Sequence, residues 1–333
     1  MVNPVGFAKG KWKSLFRMVI VIVVVAALGV SAQRSLEHWN QQPPEARLRL
    51  KDVDFRWLLL SAGLYAFALL PATMVLSRAL NALGSQLPLR KVAAAQLIGH
   101  LGKYVPGKAM VIIIRTALLN RGKSTVSLRA ATLAITIETL TMISTGAMIA
   151  LLVLLFQDVP LWMKQISGFT ALAAGVSTCP PVLRLVMTRR MIAGMLPFAW
   201  TTVDMLAAWF WNALGWLLLG ASLAAVVTAL PEPPRSQLVP MPAATVYALC
   251  LAAIALAYVA GFLSLLPGGV GVREVVLTTM LTSITDPSGA LVAAFVLRMI
   301  HLIVEVVISA VAWAMLPRTD HGAANVDEGS SVD

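Results

Sequence analysis

Apolar runs long enough to cross a lipid bilayer recur along almost the whole chain. A transmembrane helix needs about 20 consecutive, predominantly apolar residues. Candidate spans lie at 15–33, 57–78, 130–156, 160–180, 199–229, 242–263 and 288–316. Only 12% of the residues are charged, whereas charged residues make up about a quarter of ordinary soluble domains. The sequence therefore predicts an all-α, polytopic helical membrane protein with about 7–8 transmembrane helices.

The predicted boundaries divide the chain into three parts. Residues 1–54 hold the first span and an extracytoplasmic loop, residues 55–316 the main transmembrane domain, and residues 317–333 a polar tail predicted to be disordered. The first apolar run is long for a signal peptide, so it is interpreted as a retained span. The distribution of lysine and arginine between loops favours a cytoplasmic N-terminus. The predicted location is the inner or plasma membrane of the cell.

Two segments, 89–120 and 264–284, differ from plain spans because a Pro-Gly pair interrupts each of them. The breaks are formed by Pro106, Gly107, Pro267, Gly268 and Gly269. Proline lacks a backbone donor and glycine loosens a helix, and unpaired carbonyl groups are unfavourable in lipid. Broken backbone is tolerated at membrane depth only where protein buries it or water reaches it. Both segments are therefore predicted to be re-entrant or to line a wet cavity; the alternative is a turn at the membrane edge.

The two broken segments occupy corresponding positions in two halves of the chain. In each half, an arginine follows the break (Arg115 or Arg273), and the next long span carries an ionisable residue (Glu138 or Arg298). Paired interrupted segments of this kind point to the binding site of a transporter. The sequence predicts two pseudo-repeats and leaves open whether they are parallel or inverted.

Ionisable residues inside apolar segments are candidates for a site. A charge at the bilayer centre costs about 3 kcal/mol on insertion scales, so it needs a partner, a cavity or an interfacial position. Arg298, His301 and Glu305 are spaced three and four residues apart and share one helix face. Glu138 has no local counter-charge, so its partner must come from another segment. Its candidate partners are Arg115, Arg273 and Arg298. A purely structural ladder of ion pairs is the alternative interpretation.

These residue types suit an anionic, phosphate-bearing headgroup. The guanidinium of arginine is planar, permanently charged and able to bind phosphate through two hydrogen bonds. Arg273 lies in the first turn of a predicted helix, whose N-terminus also favours an anion. Glu138, Glu274 and Glu305 are expected to orient the arginines, or to meet an amine of a zwitterionic lipid. Lys103, beside the first break, either joins the site or extends to the headgroup region.

The strings "LGKYVPGK" and "LLPGGVGVRE", together with the charged residues that follow each of them, resemble one membrane family. It is the transmembrane region of lysylphosphatidylglycerol synthases, also called flippase-like, and the resemblance covers about residues 55–316. It implies lipid movement between leaflets and not the synthase activity, which belongs to a separate soluble domain. The motif residues carried over by resemblance are Lys103, Pro106, Gly107, Arg115, Glu138, Pro267, Gly268, Gly269, Gly271, Arg273, Glu274 and Arg298. Glu305 is a candidate from the helix face alone.

The predicted function is transport of an anionic or zwitterionic lipid between leaflets through a polar groove. The resemblance implies a phospholipid, hopanoid or polyprenyl-linked lipid as the partner. Neither enzymatic activity nor a cofactor, metal or nucleic acid is expected, and the oligomeric state does not follow from the sequence. The alternatives are a membrane-embedded enzyme or accessory acting on a lipid-phosphate by glycosyl or phosphoryl transfer, and a non-transporting scaffold. An enzyme would need a carboxylate cluster or a nucleophile with its base, and no such pattern is evident in the loops.

Overall fold

The described part of the chain is entirely helical. The computed structural model describes residues 53–104, 109–121, 126–157, 161–190, 198–231, 241–264, 269 and 271–316. Within these ranges the backbone forms α-helices and a 3₁₀ turn, and no strand. The all-α prediction is confirmed. The predicted first span at 15–33 and the predicted tail at 317–333 lie outside the described residues.

Eleven α-helices are labelled here in chain order over the described ranges. They are α1 Phe55–Ala68, α2 Pro71–Ala82, α3 Leu89–Gly99, α4 Ala109–Leu119, α5 Leu128–Leu154, α6 Leu161–Thr178, α7 Pro180–Arg190, α8 Thr202–Ala229, α9 Ala243–Leu263, α10 Val272–Leu281 and α11 Pro287–Ala314. A 3₁₀ turn, His100–Tyr104, directly follows α3.

Five of the described stretches are long and apolar enough to cross a membrane. They are α1 with α2, α5, α8, α9 and α11. Helix α6, which corresponds to the predicted span at 160–180, is long enough with 18 residues but is not apolar enough to be one of the five. The outward faces carry exposed apolar side chains such as Leu59, Phe210 and Val307, which would contact lipid in a bilayer. The chain is a multi-pass helical membrane protein.

The first of these stretches is interrupted, because Pro71 stands at the start of α2. Proline lacks an N–H group and is favoured at the first helical position, so one helix ends and another begins there. Leu69 and Leu70 form the connection. The structure thus extends the predicted span 57–78 at both ends and divides it into two helices.

Helices α3 and α4 form a hairpin of two short antiparallel arms. A Cβ atom on Gly99 would lie 2.3 Å from Arg115 Cγ, and one on Gly102 would lie 2.9 Å from Val111 Cα. Pairs that converge in this way indicate that the chain reverses direction between the arms. Each arm has 11 residues and is therefore about 16 Å long, roughly half of an apolar bilayer core.

The second half differs from the first in its arm before the break. The predicted span at 242–263 is confirmed as α9, a full-length helix of 21 residues that ends at Leu263, directly before the broken segment 264–284. Only α10, with 10 residues, is short. Gly269 and Gly271 have φ angles of 68° and 84°, which glycine adopts without the strain that a side chain would introduce. Glycine at both positions therefore allows the chain to turn sharply into α10.

Helices α9 and α11 position the polar residues described below. Every residue from 249 to 257 of α9 is buried, and α5 and α8 pack against this helix. Helix α11 contacts α1, α8 and α10, and also α3 and the 3₁₀ turn of the first half. Side chains on the inward face of α11 therefore meet residues from both halves of the chain.

Candidate functional site

Three polar residues on one face of α11, Arg298, His301 and Glu305, form a stripe in which His301 and Glu305 are buried and Arg298 is half-buried. The prediction that they share a face is confirmed, since all three point inward. They do not form a ladder along α11, because the charged members pair with other elements. Arg298 forms an ion pair with Glu274 of α10, and Glu305 forms one with Lys103 of the 3₁₀ turn. The stripe thus connects α11 to both halves.

Glu305 is the most deeply buried member of the stripe. Its residue is 1% exposed, and Oε1 accepts hydrogen bonds from Lys103 Nζ and from the hydroxyl of Tyr65 in α1. Its second oxygen, Oε2, is buried and has no hydrogen-bond partner among the described residues. A carboxylate in this position needs its cation, because an isolated buried charge is strongly unfavourable.

His301 lies between tyrosine and serine hydroxyl groups. Its ring stacks on Tyr65, with ring centroids 3.6 Å apart and an angle of 12° between the planes. Nδ1 lies 3.2 Å from the hydroxyl oxygen of Tyr258, and Nε2 lies 3.5 Å from Ser222 Oγ. The imidazole therefore connects α11 to α1, α8 and α9 through neutral groups.

Glu274 has two partners at the start of α10. It pairs with Arg298, and its Oε2 accepts a hydrogen bond of 2.6 Å from the backbone N–H of Gly271. The second contact satisfies one of the free donors at the helix N-terminus. Glu274 therefore both caps the N-terminus of α10 and balances the charge of Arg298.

Arg273, its neighbour, has no such counter-charge within the part of the chain that the structure describes. Its guanidinium carbon lies 3.8 Å from the centroid of the Tyr258 ring, a cation–π contact. Its Nε is buried without a hydrogen-bond partner, and no hydrogen bond or ion pair joins the guanidinium to another described residue. The side chain packs across Gly261 and Gly269, where a Cβ atom would lie 2.7 Å from Cγ and 2.8 Å from Nε, respectively.

Arg115 and Glu138 form a separate ion pair in the first half. Arg115 Nη1 lies 3.0 Å from Glu138 Oε2, and both side chains are 4% exposed. Gln96 Nε2 donates to the other carboxylate oxygen at 3.2 Å, and His100 Nδ1 lies 3.4 Å from Arg115 Nη2. The prediction that Glu138 finds its partner on another segment is confirmed, and that partner is Arg115.

In each half an arginine packs against a glycine, but the two halves differ in which helix supplies the arginine and which the carboxylate of the ion pair. Arg115 crosses Gly99 and Arg273 crosses Gly261, in each case with Cγ, Nε and Cδ as the close atoms. The short helix α4 supplies the arginine for the long helix α5, whereas the short helix α10 supplies the carboxylate for the long helix α11. The arginine–glycine contact is thus common to both halves, whereas the arrangement of the ion pairs is not, and the pseudo-repeat stays a prediction.

Two cavities lie on either side of Tyr258. The first has an empty volume of about 440 Å³, including the space at its mouth, and is lined by charged residues of both halves. Its charged lining residues are Lys103, Arg273, Glu274 and Arg298. The second has an empty volume of about 490 Å³ and a mainly apolar and aromatic lining that includes Trp211 and Trp216. Tyr258 lines both cavities.

Alanine at Gly261 is expected to destabilise the protein, because its Cβ would overlap the side chain of Arg273. Overpacking of this kind typically costs about 1–3 kcal/mol. Gly63→Ala in α1 is the matched control, since a Cβ there meets nothing within 4 Å. The measurement is the unfolding midpoint of each purified variant in detergent. A midpoint for Gly261→Ala equal to that of Gly63→Ala would contradict the close packing of Arg273 on α9.

Comparison with known protein families assigns the chain to one of them. A family model described as "Lysylphosphatidylglycerol synthase TM region" matches residues 14–309, most of its length. The chain belongs to this family. A search of curated proteins finds no match. The expected family resemblance is thus confirmed over a longer range than the strings that first indicated it.

Within this member of the lysylphosphatidylglycerol synthase TM-region family, the predicted site residues fall into three groups. Around the first cavity lie Lys103, Gly269, Arg273, Glu274, Arg298 and Glu305. Arg115 and Glu138 form the separate buried pair, which His100 connects to the second cavity. Outside the described residues are Pro106, Gly107, Pro267 and Gly268.

Sequence reasoning missed the aromatic and amide partners of this family member's charges. Tyr65 and Tyr258 contact the α11 stripe, Tyr104 lines the first cavity, and Gln96 bonds to Glu138. The chain has only four tyrosines, and these three lie at the site. The scarcity of tyrosine within long apolar helices was the available signal. Within the described residues, no group of three or more His, Cys, Asp or Glu side chains is arranged to hold a metal.

Proposed function

We propose that this protein moves a phosphate-bearing anionic or zwitterionic lipid between the two leaflets of a cell membrane. The headgroup would occupy the first cavity while the acyl chains stay in the bilayer. Family membership supports a role connected with lipids, and the charged lining of the first cavity supports a polar headgroup as the cargo. The proposal rests on the absence of a described carboxylate partner for Arg273.

Arg273 borders the cavity without a described carboxylate partner, whereas the other described charged residues around it are paired. A guanidinium in a membrane protein needs an anion or water, because its desolvation is otherwise uncompensated. A phosphodiester offers two oxygen atoms that match the donors of a guanidinium. The start of α10, one residue before Arg273, adds a positive dipole end to the same place.

The short helices are proposed to reach only part of the way across the membrane. Arms α3 and α4 are each about half as long as a bilayer core, and their chain reversal would return both ends to one side. With a cytoplasmic N-terminus, as the basic loops favour, this hairpin would enter from the cytoplasmic side. Such a re-entrant arrangement would place the polar stripe of α11 near mid-membrane, within reach of a passing headgroup.

Replacement of Arg273 by alanine is expected to slow leaflet exchange of a labelled anionic phospholipid by at least about tenfold in vesicles that contain the purified protein, which corresponds to a loss of about 1.4 kcal/mol. The physical reason is that the substitution removes the one described cation at the cavity that has no carboxylate partner. Exchange is measured by the fraction of fluorescent label that a membrane-impermeant reductant quenches over time. Arg78→Ala is the matched control, because Arg78 pairs with Asp204 at a site where its side chain is 42% exposed.

Exchange at the wild-type rate by Arg273→Ala, with normal expression, would contradict the proposed site. Absence of exchange by the wild-type protein itself would contradict transport. A chemically altered lipid produced in detergent micelles, where no second leaflet exists, would instead indicate the enzyme alternative. These three outcomes come from one preparation and are distinguishable.

A further inference from the structure

We infer that the first cavity selects lipids whose headgroup carries a single net negative charge over zwitterionic and cationic ones. This inference rests on the proposed function and narrows its substrate class. It follows from the charges around the cavity, from how its carboxylates are occupied, and from the burial of Glu305.

The described charges at the cavity leave one positive charge without compensation. Lys103, Arg273 and Arg298 line it, and they are faced by Glu274 in the lining and Glu305 directly behind it. Three cations against two carboxylates give a net charge of +1. His301 also lines the cavity, but both of its nitrogens face hydroxyl groups and no carboxylate. The uncompensated cation is Arg273.

The two carboxylates are poorly placed to receive the amine of a zwitterionic headgroup. Glu274 already pairs with Arg298 and caps α10 through Gly271. Glu305 lies behind Lys103 and is not part of the cavity lining. Its Oε2, which has no partner in the described ranges, is buried. A headgroup ammonium would therefore enter a net positive cavity and could find a counter-charge only by breaking an existing ion pair.

A headgroup with one net negative charge is favoured over the others because it makes the occupied cavity electrically neutral. One phosphodiester charge beside Arg273 brings the net charge to zero, and the existing pairs stay intact. A zwitterion leaves the net charge at +1, and a headgroup with additional amines raises it further. Because uncompensated charge is unfavourable where water is scarce, each of these alternatives is expected to enter the cavity less readily.

The test compares two labelled lipids with identical acyl chains in vesicles made of an uncharged, zwitterionic host lipid. One probe carries a glycerol headgroup on its phosphodiester and has one net negative charge; the other carries choline and is zwitterionic. For the wild-type protein, the monoanionic probe is expected to exchange at least about tenfold faster, equivalent to about 1.4 kcal/mol. Vesicles without protein give the background rate of each probe.

Variants at Arg273 separate charge selection from general damage. Arg273→Gln lowers the net charge of the cavity to zero and is expected to reduce the ratio of the two rates to about one. Arg273→Lys keeps the charge and is expected to retain the preference for the anion, even if both rates fall. Arg78→Gln removes a positive charge away from the cavity and is expected to leave the ratio unchanged.

The outcomes bear differently on the inference and on the proposed function. Equal rates for the two probes with the wild-type protein would overturn charge selection and leave lipid transport standing. Faster exchange of the choline probe would do the same. No exchange of either probe would overturn both. If Arg273→Gln does not fold, a preference for the choline probe in Arg273→Lys would still contradict the inference, because that variant keeps the charge.

Discussion

Replacing Glu138 with leucine is expected to destabilise the protein by about 3–5 kcal/mol, because it leaves Arg115 as an unpaired charge in a buried site. Both side chains are 4% exposed, so water cannot take the place of the lost carboxylate. Gln96 and His100 remain beside the guanidinium, and neither carries a compensating negative charge. Unfolding in mixed detergent and denaturant, followed by tryptophan fluorescence, measures the change.

The double variant Arg115→Met with Glu138→Leu is the control for this prediction. It removes both charges and replaces them with apolar side chains of similar length, a change that is often neutral or stabilising for buried pairs. We therefore expect it to recover most of the stability lost in the single variant. Equal instability of the single and double variants would contradict the ion pair as the cause.

Replacing Glu305 with leucine is expected to have an effect of similar size, about 3–5 kcal/mol, for a related reason. The substitution removes the counter-charge of Lys103 and the acceptor of the Tyr65 hydroxyl in one step. Because these partners belong to the 3₁₀ turn and to α1, the loss affects the packing of α11 against both. The same unfolding measurement applies.

Tyr65→Phe is the milder variant with which the stability of Glu305→Leu is compared. It removes one hydrogen bond to a charged acceptor and keeps the aromatic stack on His301, so a smaller loss of about 2 kcal/mol is expected. The predicted order of stability is wild type, then Tyr65→Phe, then Glu305→Leu. A Glu305→Leu variant as stable as Tyr65→Phe would show that the ion pair with Lys103 contributes little.

Local spacing accounts for the parts of the site that the sequence predicted. Residues three and four apart on a helix share a face, so the arrangement of Arg298, His301 and Glu305 followed directly from their positions. The need of Glu138 for a partner followed from the unfavourable energy of an isolated charge in an apolar segment. Both arguments depend on one helix at a time, and the structure confirms both.

Contacts between distant segments account for what the sequence did not predict. The choice of Arg115 over Arg273 as the partner of Glu138 depends on how α4 packs against α5, which periodicity does not reveal. The position of Tyr258 between two cavities depends on α9 being central.

The side chain of Tyr258 is expected to couple the two cavities thermodynamically. This side chain forms part of both linings, its ring contacts the guanidinium of Arg273, and its hydroxyl group lies within hydrogen-bond distance of the imidazole of His301. A molecule that shifts this ring from the second cavity is expected to change the affinity of Arg273 for the proposed anion in the first. By reciprocity of linked equilibria, the anion then changes the affinity of the second cavity by the same factor.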